Sequence, residues 1–82
     1  MNVKVKLVGR YKEISGCNEI EFPIHKGDTI WHVIDMFVKQ FPKIQRDKKF
    51  IMVSKNDTYT TRDATIKDGD KITLTPPVVS GG

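Results

Sequence analysis

Residues able to do chemistry are few in this chain, and most are badly spaced for it. His25 and His32 lie seven apart, one in a loop and one inside an apolar helical pattern. No cysteine pair or carboxylate cluster joins them at a ligand spacing, so no metal set is expected. His32 reads as a surface histidine and not as a base. Cys17 is the single cysteine. That excludes an internal disulfide and a cysteine-based metal site, and nothing beside it in the sequence would activate the thiol. Ser15 has no general base or oxyanion signature near it. Neither a phosphate-cradling glycine loop nor a dinucleotide fingerprint occurs.

What remains is the last stretch, Pro76-Pro77-Val78-Val79-Ser80-Gly81-Gly82. Two prolines fix φ and give up their backbone donors, so a strand arriving at Thr75 cannot continue as a paired ladder. A proline pair favours an extended, fairly stiff path. Fully extended, the segment reaches roughly 23 Å at about 3.3 Å per residue. It ends in two residues without a β-carbon and in a carboxylate. A slot too narrow for any side chain still admits Gly81 and Gly82. Taken alone, a terminal Gly-Gly equally fits an ordinary frayed end. The chemical reading requires a compact base that releases the tail from a final strand.

The composition allows such a base. At 82 residues one domain is the ceiling, here residues 1–75 followed by a tail over 76–82. Hydrophobic residues at 38% and charged residues at 29% fit a folded domain and not a disordered chain. No apolar stretch is long enough to span a bilayer. The start, Met1-Asn2-Val3-Lys4-Val5-Lys6, alternates and lacks a signal-peptide block. No membrane association and a cytoplasmic location are therefore expected. Net charge is +4, which permits nucleic-acid contact without showing it. The densest basic run, Lys43-Ile44-Gln45-Arg46-Asp47-Lys48-Lys49, holds no aromatic for base stacking. It reads as a solvated loop, and nucleic acid is not the expected partner.

In chain order, residues 2–8 alternate Val3, Val5 and Leu7 against Asn2, Lys4 and Lys6, a half-buried strand. Residues 10–16 are too long for a tight turn; they accommodate a helical turn stopped at Gly16. Residues 18–24 alternate again, with Ile20, Phe22 and Ile24 on one face, and pair most simply antiparallel with the first strand. Lys4 and Lys6 then face Glu19 and Glu21. Thr29 or Asp28 is placed to cap a helix. Its apolar face is Ile30, Val33, Ile34, Phe37, Val38 and Phe41, and Pro42 ends it. Trp31 borders that face and reads as cover for the core edge. Residues 49–53 read as a third strand, apolar on both faces. Asn56-Asp57 marks a turn, residues 63–66 a short edge piece, and Lys67-Asp68-Gly69-Asp70 a strong turn. Residues 71–75 form the last strand. One amphipathic helix on a mixed sheet is an α+β two-layer domain.

These features together resemble the MoaD branch of the ubiquitin-like β-grasp sulfur carriers, the MoaD/ThiS superfamily. The likeness spans nearly the whole chain. It rests on Gly9-Arg10-Tyr11-Lys12-Glu13-Ile14-Ser15-Gly16 after the first strand, Asp28-Thr29-Ile30 at the helix start and Asp68-Gly69-Asp70 before the last strand. Most specific is the ending, similar to the family's Pro-Pro-Val-x-x-Gly-Gly. The resemblance implies a ubiquitin-like β-grasp: a mixed sheet of four to five strands on one main helix, with a flexible C-terminal Gly-Gly tail. It also implies a reaction at Gly82. A MoeB-type adenylating enzyme uses ATP to form an acyl-adenylate, and a sulfur donor converts it to a thiocarboxylate. The tail then delivers sulfur as the small subunit of molybdopterin synthase, inside a MoaE-type large subunit. On this reading Pro76, Pro77, Val78, Val79, Ser80 and Gly81 are the tail that partners recognise. The chain has no catalytic side chains of its own and binds no cofactor.

Two other roles stand beside it. Relatives of the family are attached to protein lysines through the same terminal glycine, which would make this chain a ubiquitin-like modifier conjugated through Gly82. A β-grasp interaction module with an inert tail is the third, and would show steeply salt-dependent binding. For either role of Gly82, alternation leaves Phe50 and Met52, with Val8, on the sheet face away from the helix. That face is expected to dock partners, because a few large apolar anchors commonly carry an interface. A slip of one residue would exchange them with Ile51 and Val53.

Overall fold

A computed structural model of the chain describes residues 1–77. Strand β1 (Asn2–Leu7) is followed by a short helix α1 (Arg10–Ser15), strand β2 (Glu19–Pro23) and the main helix α2 (Ile30–Gln40). A 3-10 helix (Pro42–Asp47) leads into β3 (Met52–Lys55), β4 (Thr58–Tyr59) and β5 (Lys71–Thr75). The five strands form one sheet in the order β2-β1-β5-β3-β4. β1 and β5 run parallel, and the other pairs are antiparallel.

The alternation in β1 sends Val3, Val5 and Leu7 into the core and leaves Asn2, Lys4 and Lys6 exposed. β2 pairs with it so that Lys4 stands opposite Glu21 and Lys6 opposite Glu19, as the pattern predicts. Ile30, Val33, Ile34, Phe37 and Val38 of α2 are all buried against the strands. Each such side chain contributes about 1.5–3 kcal/mol. α2 ends before Pro42, and α1 ends at Gly16, whose φ of 76° is the left-handed cap that only glycine adopts freely.

Several local expectations are corrected. Thr29 occupies the cap position of α2 without a side-chain bond. Asp28 instead accepts the His25 N–H at 2.7 Å and closes the preceding turn. The free N–H groups of Ile30 and Trp31 go to the carbonyls of Ala64 and Arg62, at 3.1 and 3.0 Å. Segment 61–66 therefore caps the helix. It contains no strand, only a bridge between Thr29 and Thr65. The basic run is not a bare solvated loop: it folds as the 3-10 helix because Ile44 is buried in the core. The third strand starts at Met52, since Phe50 and Ile51 both give their N–H groups to the Asp47 carbonyl. The Asn56-Asp57 turn proves to join a hairpin, β3–β4, with both residues at positive φ.

Near the base of β5, Asp70 accepts the Lys67 N–H at 2.8 Å and the Asn56 side-chain amide at 3.1 Å. Partial burial works to raise its pKa. Those two bonds and the charges of Lys55 and Lys67 outweigh it, and the carboxyl stays below its ordinary value. No described helix is long and apolar enough to cross a membrane.

Candidate functional site: the exit of the last strand

β5 lies in the interior of the sheet, between β1 and β3, so its end is flanked on both sides. Leu74 pairs with Leu7 on one side, and Thr75 with Met52 on the other. The strand stops where the prolines begin, because Pro76 and Pro77 have no N–H for the ladder. Both prolines are partly buried. The root of the tail is thus seated on the domain.

Gly9 forms the first wall. Its φ of 58° and ψ of −133° carry the chain from β1 directly into α1. A β-carbon there would stand 3.6 Å from Pro76 Cγ, an ordinary contact. The backbone conformation, and not space, is what asks for glycine.

The second wall is the start of β3. Ile51 and Val53 are buried, while Phe50 is 64% and Met52 37% exposed. The register is therefore the one in which Phe50 and Met52 face outward. Phe50 sits in the turn before the strand. Tyr59, 77% exposed, pairs with Ser54 and so shares the outer face with Met52. Sequence reasoning missed Tyr59, because the two-residue run Thr58–Tyr59 shows no alternation of its own. Val8 is only partly exposed.

The two walls are tied together through Asp47. Tyr11 of α1 is fully buried, and its ring meets Phe37 edge-on at 5.4 Å between centroids. Its hydroxyl donates to Asp47 Oδ2 at 2.8 Å. The Arg10 guanidinium pairs with the same carboxylate oxygen. Burial, then the bond to Asp47, pushes the Tyr11 pKa well up, so the phenol remains a donor. The Arg10 pKa is raised as well, chiefly by its bond to Asp47. This cluster was also missed, because Tyr11 lies in a helix too short to show a period and Asp47 is one acid within a basic run.

The remaining flagged residues do not assemble into a catalytic group. Asp28 Oδ2 lies 3.8 Å from His25 Nδ1 and 3.5 Å from His32 Nε2, but no group among the described residues is arranged to hold a metal ion. Ser15 accepts the Cys17 N–H at 3.3 Å, and Cys17 is a free, partly buried thiol beside it. Val78, Val79, Ser80, Gly81 and Gly82 lie outside the described residues.

A five-stranded mixed sheet on one main helix, with its first and last strands side by side, defines a ubiquitin-like β-grasp domain. Residues 5–82 match the ThiS family, and the chain belongs to it. Over all 82 residues it is 28% identical to a molybdopterin synthase sulfur carrier subunit of Arabidopsis thaliana, covering 84% of that protein. It is also similar to the structure of a putative molybdopterin converting factor subunit 1 from Pyrococcus furiosus. That likeness has a TM-score of 0.83 at 26% identity, over 95% of this chain and 99% of the other. The small archaeal modifier protein 1 of Methanosarcina acetivorans gives a TM-score of 0.78 at 25% identity, over 99% and 96% of the two chains.

Proposed function

We propose that this chain is a sulfur carrier that supplies molybdopterin synthesis as the small subunit of the synthase. The observation that carries the reading is the family match, which runs through residue 82 and so takes in the whole Pro-Pro-Val-Val-Ser-Gly-Gly ending. The Arabidopsis relative, similar along the entire chain, supports the same role.

In this reading the Gly82 carboxylate attacks the α-phosphorus of ATP inside a MoeB-type enzyme, forming an acyl-adenylate and releasing pyrophosphate. A sulfur donor displaces AMP and leaves a thiocarboxylate. The tail then enters a MoaE-type large subunit and transfers the sulfur. No side chain of this protein takes part in bond making. Its contributions are physical. Gly81 and Gly82 give clearance, and Pro76 and Pro77 reduce the entropy lost when the tail is ordered. Phe50 and Met52 dock the outer sheet face on the partner, because a short tail alone binds weakly once its ordering is counted.

The test is incubation with the cognate adenylating enzyme, ATP and a sulfur source, read by intact mass. One oxygen is exchanged for sulfur, and a chain lacking Gly82 stays folded but is not loaded. Loading without Gly82, or unfolding on its deletion, overturns the reading. A second reading, conjugation to protein lysines through Gly82, is favoured by the likeness to the Methanosarcina modifier. It predicts higher-mass adducts that require the same adenylation, and both roles can operate from one terminus.

A further inference from the structure

We infer that Asp47 is a positioning residue, which holds Phe50 at the β5 exit in the orientation that partner docking uses. The inference rests on the docking role proposed above. Asp47 closes the 3-10 helix and faces two ways. Its carboxylate takes the Tyr11 hydroxyl at 2.8 Å and the Arg10 guanidinium, both from α1. Its carbonyl takes the N–H groups of Phe50 at 2.7 Å and Ile51 at 2.9 Å. One residue thus ties the Gly9–α1 wall to the turn that presents Phe50.

Two features make the tie directional. Tyr11 is a fixed post: its ring is buried against Phe37, and a buried hydroxyl without an acceptor is costly. Phe50, by contrast, is mostly exposed, so no core packing fixes it. The next residue of the turn, Lys48, is held from the other side by Asp35 at 2.7 Å. That pair is exposed and weak, which leaves Asp47 as the stronger anchor. Without the Asp47 carboxylate the turn keeps its buried ends at Ile44 and Ile51, but Phe50 between them is less restrained, and affinity falls by the ordering then left to binding.

The experiment titrates the cognate large subunit of molybdopterin synthase into Asp47→Ala, Asp47→Asn and Tyr11→Phe, each with and without Phe50→Ser. Circular dichroism confirms folding, and amide hydrogen exchange is followed at Phe50 and Ile51. Asp47→Ala is expected to speed exchange at those two amides and to weaken binding about three- to tenfold. In the Phe50→Ser background it causes no further loss. Asp47→Asn keeps an acceptor for Tyr11 and retains most of the affinity. If Asp47→Ala does not fold, Tyr11→Phe, which loses only the hydroxyl, shows the same coupled loss at smaller size. A folded variant that binds within about twofold of the parent, or losses of equal size with and without Phe50, overturns the inference. A parent chain that loads sulfur and binds while the Asp47 variants behave like it sinks this inference alone. A parent chain that neither loads nor binds sinks the carrier reading and this inference with it.

Discussion

Met52 stands directly across from Thr75, the last residue of β5 before the proline pair. The outward face of β3 therefore begins level with the point where the chain leaves the sheet. An anchor at Met52 or Phe50 would fix a partner beside the root of the tail. Changing either to Ser is expected to weaken partner binding by about tenfold, the scale of a modest interface anchor. Titration of each folded variant checks this. Unchanged affinity in the double variant removes the proposed docking role and leaves the proposed Gly82 chemistry untouched.

Gly9→Ala tests the other wall. The added methyl has room, so the cost is that of a side chain held at positive φ, about 1–3 kcal/mol. The chemical-denaturation midpoint should fall accordingly. An unmoved midpoint would mean the chain relaxes there without difficulty.

Tyr11 makes stability sensitive to alkali. Its folded pKa is raised by burial first and by Asp47 second, above an unfolded value of about 10. The protonated phenol is favoured by folding, so its contribution is complete below pH ~10 and is lost as pH rises through the folded value. The midpoint of unfolding should drop above pH ~10 in the parent, and less steeply in Tyr11→Phe. Parallel pH profiles for the two proteins would contradict this.

Much of the fold was legible because its strongest signals are periodic. β1, β2, the buried stripe of α2 and β5 follow from spacing alone, whereas residues 49–53 are apolar on both faces, so the outward placing of Phe50 and Met52 is decided by the pairing of β3 with β5. What was not legible depends on contacts distant in sequence. Asp28 looks like a helix cap, but segment 61–66 brings carbonyls to that helix end and leaves Asp28 to its turn. Asp47 looks like a solvated acid until α1 folds against the 3-10 helix and gives it Arg10 and Tyr11. Thr58 and Tyr59 are too short a run to show alternation.

Phe37 is the residue whose loss the core should feel most. It is fully buried and touches both Tyr11 and Phe41 edge-on. Phe37→Ala is expected to cost about 3–5 kcal/mol. For a domain of this size that is a large part of a total on the order of 4–12 kcal/mol. Denaturant titration measures it, and a shift under about 1 kcal/mol would place Phe37 outside the cooperative core.

Lys4 and Lys71 are partners in the parallel pairing of β1 with β5. The two strands at the heart of the sheet are thus contributed by opposite ends of the sequence. Closing so long a loop is slow and cannot precede synthesis of β5. During translation, the nascent chain has no completed sheet until its last strand has cleared the ribosome. A chain stopped short of β5 therefore lacks the strand that joins the β1–β2 pair to the β3–β4 hairpin, and the two parts of its sheet stay unconnected.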